Sequence, residues 1–431
     1  MNFHHVSRRL NLLFIIFIMI FALVGCPNLL GSLQDSIFDS GDSEEEQQQD
    51  DNGSPETGDD DGPRTPDLTG RNINSFVDDF AAELAASDLI ALQESAVGSI
   101  AGGARTHVGS DHLASKDFEL YVPAVVEGAQ ASLAGTDLTD DEKIRAIKAI
   151  VSSAMGTIGS YKNDLPDDFS ASAVDPKLGA MLRIIERLSR SSVSSLRSAG
   201  ISDERIGDAA SEAVSGIVES TERAGVRRDN LSDSVQRVTK AAVEVVKDLT
   251  AESGGDQSEA KRQVVAKITE GATAGAVTVA SATGDRETRD QMVEKISEGA
   301  TSGLKAIATD STEKENLISG VSDGFADGIN KSADSLQADD VKRLVQRATA
   351  GSSRAIKELA ENVEDDDEVK RLIQRVSEES SRSISTRLQA EVAGLVNEEL
   401  AEDVVRGAAE GAQRIKDGGV DSATRSEEHT S

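Results

Sequence analysis

From Val341 the apolar residues fall at Val341, Leu344, Val345, Ala348, Ala355, Ile356 and Leu359. Steps of three, four and seven put them on one stripe of an α-helix, with Arg343, Arg347, Arg354 and Lys357 set off it. The pattern then returns. "VKRLVQRATAGSSRAI" (341–356) recurs as "VKRLIQRVSEESSRSI" (369–384), identical at ten of sixteen positions. "KITEGATAGAVTVA" (267–280) recurs as "KISEGATSGLKAIA" (295–308), identical at eight of fourteen, and both copies lie 28 residues on. Looser copies fall at 124–133, 231–248, 317–333 and 402–415. One offset in two separate places marks a tandem repeat.

Each repeat opens on Ser, Thr or Asp followed by acids: "LTDDEK", "ISDER", "LSDS", "TGDRE", "DSTEKE", "QADD", "VEDDDE". Such openings cap free N–H groups and suit the positive end of a helix. No proline follows Pro176, which favours long helices. Eleven or twelve helices are expected between residues 72 and 418, joined by short polar links that favour antiparallel neighbours. The expected fold is all-α, with tandem ~28-residue helical repeats in an antiparallel array or solenoid-like bundle. Gly-containing links at 252–256 and 282–286 predict turns. Twenty-eight is also four heptads, and the link at 361–369 holds neither Gly nor Pro, so a long broken coiled coil fits the spacing too.

Glycines recur four apart inside the helical stretches: Gly271/Gly275, Gly299/Gly303, Gly324/Gly328 and Gly407/Gly411. The same segments carry Glu270, Glu298 and Asp327, so they are not membrane spans. A smooth face for close helix approach is the expected use, offsetting the roughly 0.8–1 kcal/mol that interior Gly costs. A groove for a partner helix is the alternative.

Composition agrees with small-side-chain packing. Aromatics are 3 % of the 431 residues, there is no Trp, and beyond residue 170 the only ring is Phe325. Lys plus Arg total 45 against 77 Asp plus Glu, a formal charge of −32 with no offsetting basic cluster in the sequence. That charge repels phosphate backbones and excludes nucleic acid as a partner.

The first 70 residues read differently. Arg8 and Arg9 precede thirteen apolar residues, Leu12 to Val24, then Gly25 and Cys26. This is the pattern of a secretory signal peptide. Thirteen helical residues reach roughly 20 Å, short of the ~30 Å hydrocarbon core. Leu23-Val24-Gly25-Cys26 resembles the lipobox of bacterial lipoproteins, and Cys26 is the only cysteine in the chain. The resemblance implies cleavage before Cys26, a diacylglyceryl thioether on its sulfur and acylation of its amine. Two or more acyl chains hold a protein stably on a bilayer. The resemblance thus implies Cys26 as the lipid-attachment residue, a membrane reached through the anchor, and a periplasmic or surface-exposed location.

From Asp35 to Gly62 there are twelve acids and no Lys or Arg, the composition of a disordered spacer. "DDNG" and "DDDG" lack the first ligand and the twelfth-position Glu of an EF-hand loop. At the other end "RSEEHTS" (Arg425–Ser431) resembles the in-frame translation of a sequencing-library adapter. Four segments result: signal peptide 1–25, lipidated cysteine with acidic tether 26–70, helical repeats 71–424, and a non-native tail 425–431.

Candidate chemistry is sparse. His107 and His112 stand near Asp111 in "GGARTHVGSDH", which reads as a Gly-rich connector with solvated histidines. No zinc set, nucleophile elbow or phosphate loop appears. No cofactor is expected, and the leading expectation is a non-enzymatic envelope lipoprotein with a structural or protein-interaction role. An amphipathic lipid-handling protein is the alternative. An enzyme using carboxylates or His107/His112 is the third reading.

Overall fold

Thirteen α-helices, and no strand, carry the described residues of the computed structural model: 73–87, 94–113, 118–165, 177–251, 256–360, 366–388 and 397–428. The signal peptide, lipobox and tether lie outside these residues. The first helices are α1 (Ile73–Ala85), α2 (Glu94–Leu113), α3 (Phe118–Ser132), α4 (Asp140–Ser160), α5 (Leu178–Ser194), α6 (Ile206–Glu219) and α7 (Leu231–Glu244). A short helix, Val246–Thr250, continues α7. Then come α8 (Gln257–Thr283), α9 (Arg286–Ile307), α10 (Ser311–Lys331), α11 (Ala338–Ala360), α12 (Asp366–Ser383), ending in a π turn Ile384–Leu388, and α13 (Asn397–Glu428).

The all-α array of the sequence reading is present, with one correction to its neighbours. From α3 on, helices alternate between two layers, and from α4 on each packs most extensively against the next-but-one helix in its own layer. One layer holds α2, α3, α5, α7, α9, α11 and α13; the other holds α1, α4, α6, α8, α10 and α12. Consecutive helices run antiparallel. Lys261 at the start of α8 donates to the Ile307 carbonyl at the end of α9, at 3.1 Å. Apart from the consecutive pair α2 and α3, same-layer helices run parallel, since Gly271 and Gly275 of α8 face Ser211 and Ser215 of α6 in the same order. Each 28-residue sequence repeat supplies one helix, and a pair of helices makes one unit of a two-layer solenoid. The coiled-coil alternative fails, because α11 and α12 fold back on one another.

The glycines explain the close spacing. A Cβ on Gly271, Gly299, Gly324, Gly351 or Gly407 would overlap a backbone carbonyl of the adjacent same-layer helix. These faces are filled by the chain itself, not held open for a partner. Large rings gather instead where the array begins. Phe76 meets Phe118 edge-on at 5.6 Å and Tyr161 at 5.5 Å, and Tyr161 donates its hydroxyl to Asp79.

Several predicted caps form. Thr139 and Glu142 make a reciprocal capping box, Asp285 and Asp310 accept amides of their own first turns, and Asp256, read in sequence only as part of a turn, does the same for α8. "ISDER" and "LSDS" do not: 3₁₀ turns precede α6 and α7, and neither uses a side-chain cap. Between α8 and α9 the chain reverses at Gly284, φ +68°, with nothing within 4 Å of a Cβ built there. Gly284→Ala is therefore expected to cost about 1–2 kcal/mol from conformation alone, measured by urea unfolding.

The "GGARTHVGSDH" connector is a correction as well. It is helical, within α2, because Gly103 is used for packing: a Cβ there would lie 2.6 Å from the Gly128 carbonyl of α3. No described helix is long and apolar enough to cross a membrane.

Candidate functional site

His107 is exposed on α2, its Nε2 3.3 Å from Glu127 Oε2 of α3. The side chains of Asp111 and His112 lie outside the described residues. Among the described residues no three metal-ligating side chains come together. The charged groups that do converge are ones the repeat hides in sequence, and they form two seams, one in each layer.

In the α8–α10–α12 layer the centre is Asp323, whose side chain is 3 % exposed. Arg262 Nη1 of α8 reaches it at 2.7 Å and Arg387 Nη2 of the π turn at 3.3 Å. Ser383 donates to its other oxygen at 2.6 Å. Glu379, also buried, is held by Arg375 at 2.7 Å and by Arg382 Nε at 2.6 Å. Two cavities, about 280 and 570 Å³, share Arg262, Asp323 and Arg387 in their walls. A carboxylate so enclosed by guanidinium groups is an ion-pair hub.

In the α9–α11–α13 layer Asp290, Glu294 and Glu298 stand four apart on one face of α9. Arg343 Nε lies 3.0 Å from Asp290, Arg347 Nη1 3.2 Å from Glu294, and Arg354 Nη1 3.0 Å from Glu298. Arg354 and Arg414 also bind Glu294, and Arg289 reaches Asp340 of α11 at 2.8 Å. Arg414 comes from α13, so its pair with Glu294 passes over α11. The same bridging recurs. Glu212 of α6 meets Lys331 of α10 at 2.7 Å across α8, and Lys240 of α7 meets Glu358 of α11 across α9. Glu83 of α1 meets Arg223 at 2.8 Å across α4, where a Cβ on Gly156 would stand 2.9 Å from the guanidinium. Only helices this thin and this closely spaced let side chains two neighbours apart touch.

Burial pushes the Asp340 carboxyl up, yet the Arg289 hydrogen bond, the Gln337 amide and the charges of Arg289 and Arg286 hold it below its usual 3.8. Glu313 behaves alike: burial raises it, but Lys261 and Thr309 hold it below 4.5. A carboxyl depressed by folding stabilises the fold above its unfolded pKa, and that stability is lost as pH falls through the folded value. The array is therefore expected to keep its helicity at neutral pH and lose stability below about pH 4, followed by circular dichroism. Asp340→Asn is expected to lower stability at pH 7 and flatten this acid dependence.

The acids visible in the glycine-rich segments are all ion-paired: Glu270 with Lys267 of its own helix, and, across the seams, Glu298 with Arg354 and Asp327 with Arg387. The off-stripe arginines Arg343, Arg347 and Arg354 were the available signal for the α9–α11 seam, but their partners lie more than fifty residues away. The sequence matches no protein-family model, and no curated protein matches it.

Proposed function

We propose that the chain is a lipoprotein held on the bacterial cell envelope by acyl chains on Cys26, periplasmic or surface-exposed. Its helical array acts as a non-enzymatic structural or protein-interaction element. The supporting observation is where the buried charge lies. Glu294, Glu313, Asp323 and Asp340 are each buried and each tied by Lys or Arg to another helix. Such ties, laid over backbone-close glycine faces, make a stiff presenting surface rather than a substrate cleft. The lipid-handling alternative requires the helices to part, and parting them would expose Ser and Thr hydroxyls and these carboxylates to an apolar phase.

Mass spectrometry of the mature amino-terminal peptide tests the anchor. Diacylglyceryl and amide-linked acyl mass on Cys26, absent in Cys26→Ser, is the expected result; an unmodified Cys26 overturns it. Crosslinking in the native cell tests the role. Protein adducts are expected, whereas turnover of a small molecule with no adducts would refute the non-enzymatic reading.

A further inference from the structure

A chain of net charge −32 would be expected to present carboxylates to solvent, yet the α9–α11–α13 seam does the reverse. Its acids are underneath: the side chains of Asp340, Glu294, Asp290 and Glu298 are 5, 8, 12 and 14 % exposed. Its guanidinium groups are outermost: Arg343, Arg347, Arg414 and Arg286 are 40, 38, 43 and 62 % exposed. Arg289 and Arg354 complete a set of six arginines over four acids. Asp290, Glu294 and Asp340 are each shared between guanidiniums, and Glu298 is held by Arg354 and Lys295, so fork donors of the exposed arginines remain for a further acceptor.

We infer that this seam is the docking surface for an acidic polypeptide segment of a partner protein. The inference rests on the protein-interaction reading above. Arginine forks bind carboxylates bidentately, and recognition of acidic motifs by arginine clusters is a recurrent mode. The spacing favours a peptide. Arg343 and Arg347 are one turn apart, ~6 Å along α11, close to the ~6.7 Å between alternate residues of an extended strand. Arg343 to Arg354 spans ~16 Å, about five extended residues. At physiological salt the screening length is ~8 Å, so the seam is felt by a docked segment while the acids elsewhere on the surface are largely masked.

Oligoglutamate of ten residues is the probe, titrated into the detergent-solubilised full-length protein at 0.1 M salt with fluorescence anisotropy as the readout. Binding is expected, with Kd rising at least tenfold in Arg347→Gln/Arg414→Gln, which leaves Arg354 on Glu294. Arg371→Gln, on the other layer and 53 % exposed, is expected to bind like the wild type. If the double variant loses helicity, Arg286→Gln alone carries the comparison. No binding, or equal binding by all variants, overturns the inference. So does binding of phosphatidylglycerol vesicles or pyrophosphate in place of the peptide. A negative result leaves the acyl mass on Cys26 and the crosslinks as separate tests of the broader reading.

Discussion

Gly324→Ala is expected to lower the stability of the array by at least about 2 kcal/mol, although alanine is the better helix former. A Cβ at Gly324 overlaps the Ala266 carbonyl oxygen and lies 2.7 Å from its carbonyl carbon and 2.9 Å from its Cα. Backbone cannot step aside by changing rotamer, so α8 and α10 must separate along their whole contact. Gly98 supplies the matched control. It lies inside α2 with nothing within 4 Å of a Cβ, so Gly98→Ala is expected to stabilise by about 0.5–1 kcal/mol. Urea unfolding of both variants checks the pair. Equal effects would remove the claim that backbone approach, and not helix propensity, dictates these glycines.

Lys261→Met is expected to cost about 3–5 kcal/mol, because it strands a buried carboxylate. Lys261 and Glu313 are 5 % and 8 % exposed, their charges 2.7 Å apart, with the Ile307 carbonyl as the second acceptor of the ammonium. Adding Glu313→Gln is expected to recover most of the loss. The amide oxygen of Gln can still accept from the Thr309 amide and hydroxyl, both now 2.7 Å from Oε2, while no charge is left unpaired. A double variant as unstable as Lys261→Met would show that the lysine acts through its packing or its Ile307 contact instead. The single substitution removes a pin joining α8, α9 and α10, so it tests the solenoid junction as well as the pair.

The two seams show how periodicity and tertiary structure divide the information. Arg343, Arg347 and Arg354 can be placed off the apolar stripe by counting residues, and counting goes no further. Their acids sit on α9, in a different repeat, and read there as ordinary surface charge. The sequence contains no basic cluster, yet folding gathers six arginines from α9, α11 and α13 onto one face. The histidine stretch failed for a related reason. Glycines at 102, 103 and 109 read as a connector, but Gly103 is fixed by the approach of Gly128, a neighbour that local rules do not include.

What residue order determined alone is local: a 28-residue period, helices entered through side-chain caps at Thr139, Asp285 and Asp310, and small residues reserved on one face. Those properties depend on backbone hydrogen bonding and side-chain volume within a turn or two. Which helix fills a glycine face, and which acid meets which arginine, depended on the choice between adjacent and next-but-one pairing. Same-layer pairing won because parallel helices bring a glycine of one against a carbonyl of the other at every second repeat. No count along a single helix contains that distance.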